Sequence, residues 1–197
     1  MGQATAHDRA RARHPDRAAG LRIIAGQWGG RRLPAAPQGV RPSSDRVKEA
    51  LFSMLGPKLE DARILDLFAG TGALGLEALS RGAGHATFVE RASRSWACIE
   101  QNLRLLQVSA DRFRLVRGDA FSFLRRDPTE TFDLVFVDPP YAELGKVSPC
   151  LEGRILAPDG QMIVEHDKRV RVETGPGLRP LDQRSYGDTR LSVFTRS

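Results

Sequence analysis

The sequence predicts an α/β fold in which a doubly wound, mostly parallel seven-stranded sheet is covered by helices on both faces. One observation behind this prediction is the alternation, from residue 62 onwards, of short apolar strands with helical stretches. The other is SYGDT near the end of the chain, where Gly187 and Asp188 separate two strand-like runs. We therefore expect the sheet to finish with a C-terminal antiparallel hairpin.

The individual elements follow from the same alternation. Strands are predicted at 63–67, 85–89, 113–116, 132–137 and 161–165. Helices are predicted near 73–81, 93–106, 119–125 and 143–151. The loops that follow parallel strands meet at one edge of such a sheet, so side chains at the strand ends are the candidates for a ligand site.

A small hairpin and a helix are expected before the alternating region. In LRIIAGQWGGRRLPA, two short extended pieces flank Gly29 and Gly30, which is a hairpin signal. The next segment, RPSSDRVKEALFSMLG, has apolar residues at helical spacing and offers Ser44 or Asp45 as the N-cap. This small N-terminal hairpin would present several arginines.

The expected division of the chain follows from these patterns. Residues 1–20 have no apolar periodicity and are predicted to be a disordered basic arm. Residues 21–197 are expected to form one domain, because 197 residues suffice for one sizeable core. Within that domain, 21–57 would hold the hairpin and helix, and 58–197 the Rossmann-like core.

Composition narrows the classes of function. A formal charge of +6 and a pI near 10.0 favour a polyanionic partner. No apolar run is long enough to cross a bilayer and no secretory signal is evident, so we expect a cytoplasmic protein and no membrane partner. Cys98 and Cys150 lack metal-binding spacing and the histidines are scattered, so no metal site is expected.

A glycine-rich loop follows the first core strand. In DLFAGTGALG, Gly70, Gly72 and Gly75 form a GxGxxG pattern between strand and helix, which lets a ligand approach the backbone closely. The same pattern serves NAD and FAD. Asp66, four residues before Gly70, would repel a pyrophosphate but suits the ammonium and sulfonium of S-adenosylmethionine. The loop therefore favours S-adenosylmethionine as the cofactor.

Acidic residues follow the next two strands. Glu90 ends ATFVE, where a carboxylate can accept both ribose hydroxyls of an adenosine; the alternative is a solvated loop acid. In RGDAFSFL, Asp119 can hydrogen-bond an adenine amino group while the Ala120 amide bonds the ring nitrogen. Asp119 fits equally well as the N-cap of the next helix, and the two roles are compatible.

The fourth predicted strand ends in Asp138, Pro139, Pro140 and Tyr141. Two prolines stiffen this turn and contribute no amide donors, which leaves the Asp138 carboxylate and the Pro139 carbonyl as acceptors. Tyr141 offers a flat face on which a base can stack. When these acceptors receive hydrogen bonds from the N–H groups of an aromatic amino group, the nitrogen lone pair becomes more available for attack. Stacking on Tyr141 aims that nitrogen at a methyl carbon. Taken alone, such a turn is more often a strand exit with a helix cap, but together with Asp66, the GxGxxG loop and Glu90 it indicates methyl transfer to an amino group.

These motifs together resemble a known family. DLFAGTGALG, FVE, RGDA and DPPY look like the amino-methyltransferase branch of the class I S-adenosylmethionine-dependent enzymes. RIIAGQWGGRRL, RPSSDRVKEALFSML, EALSRGA and SYGDTRLSVF are more specific and are similar to the bacterial RsmD family. That family methylates the exocyclic N2 of guanine 966 in 16S ribosomal RNA. The resemblance covers residues 21–197, with Ser43, Ser44 and Ser53 as small departures from the usual residues.

The resemblance implies roles for individual residues. The target base would be handled by Asp138, Pro139, Pro140 and Tyr141. The cofactor would be held by Asp66, Phe68, Gly70, Thr71, Gly72, Glu90, Arg91, Asp119 and Ala120. The RNA would be bound by Arg22, Arg31, Arg32, Arg41 and Arg46. Arg41 or Arg46 could instead pair with the cofactor carboxylate, and Arg46 with Glu49 or Glu90.

The resemblance also implies the partner and leaves rivals. The substrate would be 16S ribosomal RNA in a small-subunit assembly particle, and the enzyme would act as a monomer.

A DNA adenine-N6 methyltransferase usually carries a recognition insert that these short connections cannot hold, and a protein-glutamine N-methyltransferase fits the basic charge and Asp138 less well. An NAD-dependent oxidoreductase would need a proton donor in a recognisable spacing, which neither His166 nor Tyr186 shows. A non-catalytic RNA-binding module would not need the intact DPPY turn.

Overall fold

The computed structural model describes residues 20–34, 45–126 and 130–197. Its strands in these ranges are β1 (Leu21–Arg22), β2 (Arg32–Leu33), β3 (Arg63–Asp66), β4 (His85–Glu90), β5 (Phe113–Arg117), β6 (Phe132–Val137), β7 (Leu156–Asp167), β8 (Leu178–Tyr186) and β9 (Thr189–Arg196). The α-helices are α1 (Asp45–Leu55), α2 (Ala73–Ser80), α3 (Ser93–Leu105), α4 (Ala120–Leu124) and α5 (Leu144–Val147). The expected arm up to residue 19, Arg41 and the alternative cap Ser44 lie outside the described residues.

The central sheet has seven strands in the order β5-β4-β3-β6-β7-β9-β8. The strands from β5 to β7 are parallel, and β9 runs antiparallel to both β7 and β8. The predicted mixed sheet and its C-terminal hairpin are therefore confirmed. The strand order reverses between β3 and β6, and ligands of such sheets bind at the carboxyl ends of the strands beside this reversal.

Helices cover both faces of the sheet, as the alternation predicted. On one face, Ile64 and Phe136 pack with α1 and α2, and the Phe52 ring meets the Phe136 ring edge-on at 5.8 Å between centroids. On the other face, Leu65 and Val137 belong to a second core with α4 and α5. Neighbouring strand residues point to opposite faces, so a buried strand such as Ile64-Leu65 must be apolar throughout.

Two predicted elements differ from the structure. The strand expected at 161–165 extends over Leu156–Asp167, because β7 pairs with β6 on both sides of a register irregularity near Phe132. The helix expected at 143–151 is only Leu144–Val147, followed by a 3₁₀ turn at Ser148–Cys150. Pro149 explains the change, since proline lacks the amide that would continue the α-helical bonds.

The N-terminal hairpin is confirmed, although its connection is longer than a Gly-Gly turn. Leu21 pairs with Leu33 and Arg22 with Arg32, and residues 23–31 connect the two strands. This connection lies on α2, where the Gln27 amide donates to the Ser80 carbonyl at 2.6 Å. The Trp28 amide donates to Ser80 Oγ at 3.0 Å. The EALSRGA segment therefore provides the surface on which the hairpin docks.

Glu77 holds the hairpin from within the same segment. Its side chain is fully buried, and its two oxygens accept the backbone amides of Ile24 at 2.8 Å and Ala25 at 3.1 Å. Arg81 Nε donates to the same carboxylate at 2.7 Å, and Lys48 Nζ lies 3.6 Å from it. A buried carboxylate needs such partners, so the sequence of α2 fixes where the hairpin sits.

Of the helices in the described ranges, none has the length and apolar character needed to span a bilayer.

Candidate active site

A cavity of about 510 Å³ lies where β3 to β7 end. It is lined by residues that directly follow or end these strands, among them Asp66, Phe68, Gly70, Thr71, Glu90, Arg91, Asp119, Ala120, Asp138, Pro139, Pro140 and Tyr141. A pocket of this size is typical of small-molecule and cofactor sites. The structure therefore places the DPPY turn, which is predicted to hold the target base, around the same cavity as all but one of the predicted cofactor residues.

The exception is Gly72, which shapes the loop without lining the cavity. Gly72 has φ 79°, a left-handed conformation that favours glycine, and its amide donates to the Ala69 carbonyl at 2.6 Å. It is also the N-cap of α2. Gly75 has a different reason to be glycine, since a Cβ there would lie 2.2 Å from the Phe88 ring. The pattern thus combines a tight turn with close packing of helix on sheet.

Asp66 is a buried carboxyl in the wall of the cavity. Its Oδ2 accepts the Gly75 amide at 3.0 Å, and its side chain also lines the cavity. Burial raises the pKa of Asp66 from 3.8 to about 7, the Gly75 amide opposes this rise, and the charges of Asp138 and Glu90 add to it. A positively charged ligand beside Asp66 would favour its ionised form.

Glu90 connects the glycine loop to the end of β4. Its Oε2 accepts the Gly70 amide at 2.8 Å and its Oε1 accepts the Ala92 amide at 2.6 Å. The alternative of a solvated loop acid therefore does not describe Glu90. Each carboxylate oxygen has two acceptor positions, so ribose hydroxyls can still be accepted. Arg91, the next residue, forms an ion pair with Glu143 beyond the DPPY turn.

Asp119 has the cap role that the sequence allowed. Its Oδ2 accepts the Ser122 amide at 3.1 Å and the Ser122 hydroxyl at 3.3 Å, which makes it the N-cap of α4. Ala120 follows it and lines the cavity. Since both bonds go to Oδ2, the second carboxylate oxygen keeps its capacity to accept a hydrogen bond from a ligand in the cavity.

The DPPY turn leaves β6 at the rim of the cavity. Asp138 is half-buried and Pro139 buried, whereas 57% of Tyr141 is exposed. The Pro140 carbonyl accepts the Glu143 amide at 2.8 Å, so it closes the turn. The Pro139 carbonyl and the Asp138 carboxylate are consequently the acceptors that this turn can offer to a ligand amino group, beside the exposed ring of Tyr141.

Glu165 and Thr189 line the cavity but were missed by the sequence analysis. Val164 of β7 pairs with Val137 of β6 in parallel register, which brings Glu165 beside Asp138 where the two strands reach the cavity. A simple signal could have found Glu165: like Glu90, it is an acidic residue at the end of a predicted strand. Thr189 begins β9, and only the antiparallel pairing of that strand brings it here.

Of the predicted RNA-binding arginines, the four in the described residues are not among those that line the cavity. Arg22, Arg31 and Arg32 are exposed on the hairpin, and Arg46 is exposed in the first turn of α1. Glu90, considered above as a partner of Arg46, bonds backbone amides instead. Among the described residues, no group of three or more His, Cys, Asp or Glu side chains is arranged to hold a metal ion.

Comparison with known proteins covers nearly the whole chain. Residues 21–195 match the family model described as conserved hypothetical protein 95. The ribosomal RNA small subunit methyltransferase D of Haemophilus influenzae is 39% identical over 180 residues, which are 88% of this chain and 93% of that protein. The protein of the same name from Escherichia coli K12 is 48% identical over 122 residues, which are 61% of this chain and 60% of that protein.

A solved structure shows the same architecture. The yhhF protein of Escherichia coli aligns with a TM-score of 0.78 at 39% identity, over 89% of this chain and 97% of that one. The family match spans the glycine loop, the DPPY turn and the docked hairpin alike. The fold is therefore that of the class I methyltransferases, and the chain belongs to the RsmD family of ribosomal RNA methyltransferases.

Proposed function

We propose that the protein transfers a methyl group from S-adenosylmethionine to the exocyclic N2 amino group of guanine 966 in 16S ribosomal RNA. The observation that carries this proposal is the shared cavity of the glycine loop and the DPPY turn. A cofactor held by the loop and a base held by the turn would face each other in that cavity. Proximity of the two reactants supplies most of what such a displacement needs.

The residues around the cavity fit S-adenosylmethionine. Glu90 would accept the ribose hydroxyls, and Asp119 with the Ala120 amide would bind the adenine edge. Asp66, buried and acidic, suits the positive charges at the methionine end. The remaining contacts that we assign to the cofactor come from the loop and its neighbours, namely Phe68, Gly70, Thr71 and Arg91, with Gly72 shaping the turn.

The chain's own groups orient the amino group. When bound, S-adenosylmethionine supplies a methyl carbon on a positively charged sulfur. The Asp138 carboxylate and the Pro139 carbonyl would accept hydrogen bonds from the two N2–H groups, which would leave the nitrogen lone pair pointing at that carbon, and Tyr141 would stack on the guanine. The cofactor would thereby supply the methyl group, and its sulfur would keep the electron pair of the broken bond. The amino group then gives up one proton, for which Asp138 is the acceptor that the turn provides.

RNA binding is assigned to the arginines of the hairpin side. Arg22, Arg31, Arg32, Arg41 and Arg46 would contact phosphates, while the guanine leaves its stack and enters the cavity. We propose that the protein acts as a monomer in the cytoplasm on a partly assembled small-subunit particle. The division of the chain after residues 20 and 57 into arm, hairpin with helix, and core remains a prediction. The basic charge of +6 supports a nucleic-acid substrate over a protein one.

The proposal is tested by methyl transfer from labelled S-adenosylmethionine to naked 16S RNA, to 30S particles lacking this mark and to duplex DNA. We expect label in the particles on guanine N2, and its loss in Asp138→Ala with cofactor binding retained. A matched control is Asp159→Ala, which removes an exposed carboxylate of β7 that does not line the cavity. Label on DNA adenine alone, or full transfer by Asp138→Ala, would contradict the proposal.

A further inference from the structure

Glu165 and Asp138 both line the cavity where the neighbouring parallel strands β6 and β7 reach it. The last aligned pair of the two strands is Val137 with Val164, and Asp138 and Glu165 are the residues that follow this pair. Strands in a sheet are about 4.8 Å apart, and aligned residues of parallel strands point to the same face. Two carboxylates, one in the DPPY turn and one on β7, therefore line the same cavity.

Glu165 is held by a strand rather than by a loop. The β7–β9 pairing continues past it, through Glu165 with Leu191 and on to Asp167 with Thr189. The next side chain, His166, is buried and bonds Ser192 Oγ at 2.8 Å. Glu165 is itself only half-buried, so its carboxylate reaches the cavity from a fixed backbone. Such rigid support is what a residue that reads a ligand requires.

The chemistry of the bases gives this position a meaning. In guanine, the amino group to be methylated is next to a ring nitrogen that carries a hydrogen, so its edge presents two neighbouring donors. In adenine and cytosine, the ring nitrogen beside the amino group is an acceptor. A second carboxylate beside the amino-binding acceptors would gain a hydrogen bond from guanine, whereas it would face a lone pair in the other two bases.

We propose that Glu165 is the specificity-determining residue that accepts the N1–H of the target guanine while Asp138 and Pro139 accept its amino group. This inference rests on the proposed function and adds the group that selects the base. A substrate that presents an amino group beside an acceptor nitrogen would leave the Glu165 carboxylate opposite a lone pair. Sites built to receive a donor reject analogues that lack it.

The test compares guanine with 2-aminopurine at the target position of the RNA. The analogue keeps the 2-amino group, but its N1 is an acceptor without a hydrogen. For wild type we expect kcat/KM to be roughly 10- to 100-fold higher on guanine. Glu165→Gln has nearly the same shape, and its amide can donate to N1, so the guanine preference should shrink by about tenfold or more. Glu165→Ala, which removes the carboxylate outright, should also shrink it.

The ratio of kcat/KM on guanine RNA to kcat/KM on 2-aminopurine RNA distinguishes a loss of base recognition from a general loss of activity. S-adenosylmethionine affinity and melting temperature should stay unchanged in Glu165→Gln, and Glu173→Gln, the same exchange at an exposed position outside the cavity, should keep the wild-type preference. An equal guanine preference in wild type and both Glu165 variants would overturn the assignment of Glu165 alone. Absence of N2 methylation by wild type on guanine RNA would overturn the proposed function, and this inference with it.

Discussion

Lys48 and Glu77 form a buried ion pair beneath the N-terminal hairpin, with Lys48 Nζ 3.6 Å from Glu77 Oε2. Lys48 also donates to the Arg22 carbonyl, so one ammonium contacts both the hairpin and α2. Burial lowers the pKa of Lys48, and the charge of Glu77 opposes this decrease. Because α2 begins at the glycine loop, the same helix positions the cofactor loop at one end and the arginine hairpin along its side.

Removing one partner of this pair should destabilise the protein strongly. Glu77→Gln leaves the Lys48 ammonium buried without its counter-charge, and we expect a loss of about 3–5 kcal/mol in the free energy of unfolding, measured by urea denaturation. Lys48→Met combined with Glu77→Gln should recover part of that loss. Glu100→Gln, which breaks the exposed pair with Arg104, should cost less than about 0.5 kcal/mol. Equal losses at the two glutamates would show that burial of the pair has no special role.

Gly75 should not tolerate even a methyl group. A Cβ at this position would lie 2.2 Å from Phe88 Cε1, so Gly75→Ala must displace a buried ring of β4 or the start of α2. We expect a loss of roughly 1–3 kcal/mol in stability. Gly145→Ala in α5, where no atom lies within 4 Å of the added carbon, should be neutral or slightly stabilising. Thermal melts of the two variants make the comparison, and unchanged stability of Gly75→Ala would contradict the packing described.

Cofactor affinity should rise with pH through the titration of Asp66. Its pKa of about 7 means that the free protein carries this proton at pH 6 and has lost most of it at pH 8. A cationic cofactor prefers the ionised carboxylate, so binding near pH 6.5 should release a proton and the affinity should increase from pH 6 to pH 8. Calorimetry in buffers of different ionisation enthalpy measures the release. Asp66→Asn should show none, and a pH-independent affinity in wild type would contradict this role.

The Asp66 carboxyl should also make the stability of the folded protein depend on pH. The folded-state pKa of Asp66 is raised from 3.8 to about 7, so between these values the folded protein holds a proton that the unfolded chain has released. Its contribution to the free energy of unfolding therefore falls as pH rises from about 4 to about 7 and is constant above that. In the cofactor-free protein, the free energy of unfolding of Asp66→Asn minus that of wild type should consequently increase as pH rises across this window. Urea denaturation at several pH values measures this difference. A difference that is independent of pH would contradict the raised pKa.

The hairpin arginines should govern affinity for RNA without affecting the cofactor. Arg22, Arg31 and Arg32 are exposed, and replacing all three with alanine should make the slope of log affinity against log salt less steep by roughly two to three. S-adenosylmethionine affinity should be unchanged. A control with the same loss of charge replaces three exposed arginines elsewhere, namely Arg104, Arg171 and Arg179. An equal change of slope in the control would mean that only net charge matters.

Local sequence patterns were enough to predict the sheet and most of the charged residues that line the cavity. Alternating apolar strands and helices specify a parallel sheet, and in such a sheet Asp66, Glu90, Asp119 and Asp138 must reach the same edge. The docking of the hairpin could not be predicted in this way. Glu77 bonds amides 52 and 53 residues away, and nothing near it in sequence indicates which backbone it meets.

Elements shaped by pairing were also harder to predict than isolated strands. The early part of β7 contains Pro158 and Gly160, which argue against a strand, yet Leu156 pairs with Phe132 before the register irregularity. Thr189 reaches the cavity only through antiparallel pairing with Asp167. Glu165 was accessible to the rule that found Glu90, because both acids stand at the end of a predicted strand.

The most direct test of the proposed methyl transfer is to identify the methylated nucleoside and its position. Wild-type protein and the Asp138→Ala variant would each be incubated with S-adenosylmethionine and unmodified 30S particles, and the 16S RNA digested and examined by mass spectrometry. We expect N2-methylguanosine at position 966 with wild type and a loss of at least about 100-fold with the variant. A methyl group on another atom or base, or an equal yield from the variant, would contradict the proposal.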